Sequence, residues 1–227
     1  ELDKHLPYNE ASDAIAAAAE DVRKAAADRA SVQNSLNLFM LAGRYSSVIH
    51  VLNQMMSPPS DVNSERTYWR QQSEMLYSTH LSKQSIVLNA LEKEGQRHLV
   101  ETNRRLALLC LFFENLVLKQ TDSCMDILTS LQLLPRTSED VAGKVASAKD
   151  LDEPLRASIP AVLTGAMECL YNQYRYLKTQ SVAQSPTSKA RLMKISEEGR
   201  ALSTFAGLLG IDRSARDIMS RFEAHMM

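Results

Sequence analysis

The chain has 227 residues, 44% hydrophobic and 23% charged, the composition of a folded globular protein and not of a disordered one. Its 26 Lys and Arg against 27 Asp and Glu leave a formal net charge of -1, without the basic excess of a general nucleic-acid or anionic-membrane binder. Seven Gly, seven Pro and 6% aromatics are too few for a sheet protein built on tight turns.

The chain reads as helix after helix. Residues 10–29 are rich in Ala, the best helix former, and lack large apolar anchors, so this segment should pack closely on a neighbour or lie at an end. Leu36, Phe39 and Met40 recur at helical spacing, and Gly43 supplies a left-handed stop. Tyr45, Val48, Ile49, Leu52, Met55 and Met56 form the next stripe, ended by Pro58 and Pro59. So short a turn makes the two helices antiparallel neighbours. Ser64 is expected to cap a helix through Trp69, Met75 and Leu76 to about residue 80. Ser82 or Ser85 opens another through Ile86, Leu88 and Leu91, broken near Gly95. Leu106, Leu109, Cys110, Phe113 and Val117, with Leu108, Leu111 and Phe112 beside them, make a widely apolar and therefore central helix.

Asp122 or Ser123 is expected to cap a short helix carrying Cys124, Ile127, Leu128 and Leu131, closed by Pro135. Ser138, Glu139 and Asp140 open a weak helix through Val141 and Val145. Asp152 starts the longest element, with Pro154 in its first turn and a possible kink at Pro160. Leu163, Met167, Leu170, Tyr174 and Leu177 hold one face of it. Residues 181–188 (SVAQSPTS) read as a polar linker. A helix through Leu192, Ile195, Leu202, Phe205 and Leu209 stops at Gly210, and a last one runs from about Asp212 through Ile218, Met219 and Phe222. The pattern predicts an all-α protein of about ten helices with no sheet, an irregular α-solenoid or a large bundle.

Motifs that carry chemistry are scarce. There is no glycine-rich phosphate loop, no H-E-x-x-H, no C-x-x-C and no G-x-S-x-G elbow. His5, His50, His80, His98 and His225 lack metal-ligand spacing, and Asp122 with Asp126 or Glu197 with Glu198 read as capping and solvated-face charge. The three cysteines, Cys110, Cys124 and Cys169, lie inside apolar helical patterns and read as core residues of a reducing compartment rather than a disulfide framework. Arg97-His98 and Arg104-Arg105 are short basic clusters of the kind found on solvated helix faces. Ten methionines suggest adaptable packing, with some lining a groove for a partner helix. Ser57-Pro58 and Ser185-Pro186 are possible proline-directed phosphorylation sites. Tyr68-Trp69 is the candidate partner-binding pair, because Tyr and Trp are enriched at interface hot spots; core packing is the plainer role for the lone Trp. No catalytic, metal or cofactor-binding residue is assigned. No apolar run approaches the roughly 20 residues that cross a bilayer. The chain starts at Glu1 with no signal-peptide pattern and reads as a segment of a longer protein.

Particular residues carry a family resemblance. Residues 38–58 (LFMLAGRYSSVIHVLNQMMSP), with the order Leu-Ala, turn, Tyr45, Val48, Leu52-Asn53, two apolar residues, Ser57-Pro58, resemble a helix pair of the nucleoporin-interacting-component (Nic) family. Leu109 to Glu114 with its Phe-Phe-acid step, Asp126-Ile127-Leu128 with Leu131 and Leu134-Pro135, and residues 201–207 (ALSTFAG) follow in the family's order. The similarity covers about residues 31–59, 106–178 and 197–227. It implies the C-terminal part of an α-solenoid similar to the coatomer element, spanning residues 1–227. Helical pairs would fill about 1–60, central helices 61–120, and C-terminal helices 121–180 and 187–227.

The resemblance implies a structural scaffold of the nuclear pore's inner ring, in the nuclear envelope, that supports pore assembly and nucleocytoplasmic transport. It would be no enzyme and need no cofactor. Its partners would be other nucleoporins, a linker-nucleoporin segment and inner-ring scaffolds, with no direct nucleic-acid contact and only indirect membrane association. The alternative is a peptide-binding helical-repeat adaptor of a vesicle coat or other assembly. A helical enzyme would require His50 or His98 beside Asp126 or Glu168 in one buried polar cluster.

Overall fold

A computed structural model describes residues 8–25, 28–57, 63–81, 85–179 and 185–226. Among these there are eleven α-helices and no strand, so the all-α, solenoid-type fold expected from the sequence stands. The helices are α1 (Tyr8–Ala25), α2 (Arg29–Leu41), α3 (Tyr45–Met56), α4 (Asn63–Thr79), α5 (Ile86–Lys93), α6 (Arg97–Val117), α7 (Thr121–Leu131), α8 (Val141–Lys149), α9 (Glu153–Thr179), α10 (Pro186–Leu209) and α11 (Arg213–Met226). They fall into two compact units. The first is Glu1–Met56 with Tyr68–Arg104, the second Ser57–Thr67 with Arg105–Met227. Residues of α4 and α6 belong to both.

In the first unit α1 packs on α2, as its small Ala side chains allow, and α2 on α3. The Ser12 hydroxyl donates to the Ala42 carbonyl at 2.8 Å, and Arg44 pairs with Asp13, tying α1 to the α2–α3 turn. Asp28 caps α2 by accepting the Ser31 amide at 2.8 Å, and that bond holds its carboxyl below the usual range. At the end of α2, Gly43 has φ +68°. The Arg44 amide reaches back to the Phe39 carbonyl and the Gly43 amide to the Met40 carbonyl, the Schellman pattern that a residue with a Cβ closes only under strain.

A chain of buried polar side chains then joins α3, α4 and α6. The Ser73 hydroxyl donates to Asn103 Oδ1, Asn103 Nδ2 donates to Asn53 Oδ1 at 2.8 Å, and Asn53 Nδ2 donates to the Leu99 carbonyl at 3.2 Å. All three side chains are buried. Tyr77 adds a bond from its hydroxyl to the Val100 carbonyl at 2.9 Å.

In the second unit α9 is the hub, packed against α7, α10 and α11. Leu155, Ile159, Val162, Leu163, Met167 and Leu170 are buried along it. The helix runs unbroken through Pro160, whose missing N–H leaves the Arg156 carbonyl without its helical donor. Gly165 allows close approach to α6: a Cβ there would stand 2.8 Å from Leu116 Cδ2 and 3.0 Å from Phe112 Cζ. Cys124 and Cys169 are buried between α7 and α9, and Cys110 is buried on α6.

Several boundaries differ from the sequence reading. α2 starts at Arg29 behind the Asp28 cap, inside the Ala-rich segment read over 10–29, and residues 26 and 27 lie outside the described residues. Ser64 lies inside α4, not at its cap. Ser85 does cap α5; Ser82, Pro58 and Pro59 lie outside the described residues. α7 is entered through Gln120 with no side-chain cap, not through Asp122 or Ser123, and ends at Gln132 rather than Pro135. Lys119 (φ 57°) and Gln132 (φ 52°) both adopt the left-handed conformation usually given to Gly. The linker expected over 181–188 gives way to helix at Pro186, with Ser185 as its cap accepting the Ser188 amide at 3.1 Å; residues 181–184 lie outside the described set. Val117 is 62% exposed although it was expected on the apolar stripe.

Two glycines of α9 and α8 test this packing. Gly165→Val should lower stability by about 1–3 kcal/mol through overpacking. Gly143→Ala, with nothing within 4 Å of the added carbon, should raise it by about 0.5–1 kcal/mol. Urea unfolding of both variants checks the pair, and the same sign for both would contradict it.

Candidate partner-binding surfaces

Trp69 is 1% exposed and meets Tyr68 edge-on, ring centroids 4.8 Å apart. It serves as core. Tyr68 is half-buried, its hydroxyl donating to Gln33 Oε1 at 2.9 Å and the Arg29 guanidinium lying 4.6 Å over its ring. Of the sequence-predicted pair, Tyr68 carries the accessible polar edge and Trp69 fixes the packing beneath it.

His50 and His98 belong to the first unit, Asp126 and Glu168 to the second. The Gln54 amide bonds the His50 ring at 3.0 Å, and the His98 ring bonds the Gly95 carbonyl at 3.3 Å. Among the described residues no group of three His, Cys, Asp or Glu is placed to hold a metal ion. Of the basic clusters, Arg104 lies 5.2 Å over the Tyr77 ring and Arg97 is 3.9 Å from Glu92. Burial pushes the Cys124 and Cys169 thiols up, the opposite of what an activated nucleophile needs. Burial also pushes the Tyr77 phenol up to about 12.

The second unit has an open groove of about 510 Å³ that the sequence reading did not single out. α9 forms its floor and α7 and α10 its walls. Asp122, Met125, Asp126 and Thr129 come from α7; Gln173, Tyr176 and Leu177 from α9; Arg191, Lys194, Ile195 and Glu198 from α10. Each set follows the i, i+3, i+4 spacing of one helix face. The Gln173 amide donates to Asp122 Oδ1 at 3.4 Å, and Arg136 donates to the Thr129 hydroxyl at one end. Burial raises the Glu198 carboxyl, opposed by nearby Arg136 and Lys194. A second cavity of about 540 Å³, reaching Lys119 and Gln120, shares Asp122, Gln173 and Tyr176 with the first.

Residues 2–220, nearly the whole chain, match the Nup93/Nic96 family model. The chain belongs to the Nup93/Nic96 family. Its relatives include the nuclear pore complex protein Nup93 of Danio rerio, 24% identical over 193 residues, and that of Xenopus laevis, 24% identical over 199 residues. Each alignment covers 83% of this chain and 23% of the relative, so the chain spans about a quarter of the length of the Nup93 proteins it matches. The Nic-family resemblance read from residues 38–58 and the later segments is thereby confirmed.

Two outcomes follow for this Nup93/Nic96 chain. Trp69→Ala should cost about 3–5 kcal/mol of stability, as for a large buried ring, whereas Tyr68→Phe should cost about 1 kcal/mol for one hydrogen bond; equal effects in denaturant titration would contradict the assignment. Cys124 and Cys169 favour the protonated form more when folded than when unfolded. Their stabilising contribution is therefore full below the unfolded thiol pKa of about 8.5 and is lost as pH rises above it. Melting temperature should fall between pH 9 and pH 11, and less steeply in the Cys124→Ala/Cys169→Ala variant.

Proposed function

We propose that this chain is a structural scaffold segment of the nuclear pore's inner ring, holding other nucleoporins through its helical surfaces and so supporting pore assembly and nucleocytoplasmic transport. The observation that carries the reading is the family match over residues 2–220. The chemistry agrees with it. Buried polar groups are spent on helix-to-helix bonds, the described thiols of Cys124 and Cys169 are raised rather than activated, and large apolar side chains such as Leu41, Ile86, Tyr176 and Met193 remain exposed. Function would lie in surface complementarity and not in catalysis. Attachment to the membrane would be indirect, through a linker nucleoporin, as the family resemblance implies. Tyr68, supported by Trp69 and flanked by Arg29, is offered as one contact.

Purified chain used as bait in nuclear-envelope extract should enrich inner-ring and linker nucleoporins over coat proteins. Tyr68→Ala should cut that capture about tenfold, as for an interface hot spot, beyond the effect of Gln33→Ala, which removes the hydrogen-bond partner of Tyr68 and leaves its ring in place. Enrichment of coat proteins instead would overturn the pore reading. Unchanged capture by Tyr68→Ala would remove the Tyr68 contact alone.

A further inference from the structure

We propose that the corner where α9 ends and α10 begins is a direct contact for an anionic lipid surface, with its basic side chains on the phospholipid headgroups and Tyr176 and Met193 entering the interface. This goes beyond the scaffold reading. It adds a salt-sensitive touch to the indirect attachment through a linker nucleoporin and does not replace it.

The net charge of -1 hides a strong segregation. From Cys169 to Ser196 the sequence holds no Asp or Glu, yet it holds Arg175, Lys178, Lys189, Arg191 and Lys194. α9 ends at Thr179, α10 starts at Pro186, and the two helices pack on each other, so the short connection brings these bases to one end of the pair. Ser185, which caps α10 by accepting the Ser188 amide, fixes where the basic helix begins. All five basic side chains are exposed. Among the described residues none of them is ion-paired. Arg175 and Lys178 lie instead over the Tyr171 and Tyr174 rings, at 5.6 and 5.2 Å, an arrangement that holds a cation without neutralising it. Arg191 and Lys194 share the groove with Asp122, Asp126 and Glu198, whereas Arg175, Lys178 and Lys189 lie off it.

The apolar side chains decide which anionic surface fits. Tyr176 is 65% and Met193 74% exposed, with Leu177 and Leu192 half-buried beside them in sequence. A nucleic-acid backbone rewards the bases and leaves Met193 in water. A bilayer surface rewards both sets at once. Lys and Arg meet the headgroups, Met enters the acyl boundary, and Tyr sits at the headgroup level that suits its amphipathic ring. Each basic residue near an anionic leaflet strengthens binding about fivefold, so a cluster suffices where one Lys does not. No described helix is long and apolar enough to cross a membrane, so the contact is peripheral.

The test is co-sedimentation of the chain with vesicles of phosphatidylcholine alone, or with about 30% phosphatidylserine, at about 0.1 M salt. The anionic vesicles should be bound about tenfold or more tightly than the neutral ones, and the preference should vanish at about 1 M salt. Lys178→Glu/Lys189→Glu changes two exposed positions off the groove, so it should melt within about two degrees of the parent and lose about tenfold or more of the binding. Tyr176→Ala/Met193→Ala should weaken it about threefold or more through lost apolar insertion. The proposal is overturned if the two vesicle types are bound alike or not at all, or if either double variant binds anionic vesicles as the parent does. Tighter binding of duplex DNA than of the anionic vesicles would overturn it too and assign the corner to nucleic acid. Nucleoporin capture by the parent chain needs no vesicle and decides the scaffold reading separately.

Discussion

Three polar side chains that never reach solvent fix the first unit. Ser73, Asn103 and Asn53 pass hydrogen bonds from α4 through α6 to α3 and end on the Leu99 carbonyl. Apolar helix faces tolerate sliding, because one methyl group replaces another at little cost. A chain of buried amides does not. A shift of one residue would leave at least one donor or acceptor unpaired, at about 1–3 kcal/mol each. The register of α3, α4 and α6 in this unit is therefore set by polar satisfaction, with apolar burial supplying most of the stabilisation. The Tyr77 bond to Val100, in the next turn of α4, reinforces the same register.

The second unit achieves fit by a different device. Gly165 removes a side chain where α9 meets Phe112 and Leu116 of α6, letting the helices approach. The 27-residue α9 then serves two purposes. Leu163, Met167 and Leu170 complete a core, while Gln173, Tyr176 and Leu177 present a face to the groove. A helix that buries one arc and leaves a patterned arc open is a means of recognition that needs no reactive group. That agrees with belonging to the Nup93/Nic96 family and with thiols that burial keeps protonated.

Local chemistry was readable in the sequence wherever one residue type dictates conformation. Gly43 and Gly210 mark left-handed stops, Pro154 sits in the first turn of α9, and Val48, Ile49 and Leu52 of α3, Leu106, Leu109 and Phe113 of α6 and Leu163, Met167 and Leu170 of α9 lie on buried faces. Lys119 and Gln132 escaped because nothing in a Lys or Gln side chain announces positive φ. The helix start at Arg29 escaped because Ala favours helix around it and only the Asp28 cap marks it. Asn53 and Asn103 looked like ordinary helix polars, since their partners lie 46 and 30 residues away in the chain. The groove was hidden for a related reason. Asp122 with Asp126 reads as solvated charge until α10 brings Arg191 and Lys194 to the opposite wall, and the same i, i+3, i+4 spacing describes a core face and a groove face alike. Trp69, a hot-spot candidate by type, is placed in the core by packing that composition cannot reveal.

The most direct test of this account is native-state hydrogen exchange of Asn103→Ala beside the parent chain. If the polar chain sets the register, amides of α3, of α4 from residue 68 onward and of α6 up to residue 104 should lose protection together, while α10 and α11 keep theirs. Loss confined to the turn around residue 103, with α3 and α4 unchanged, would contradict it.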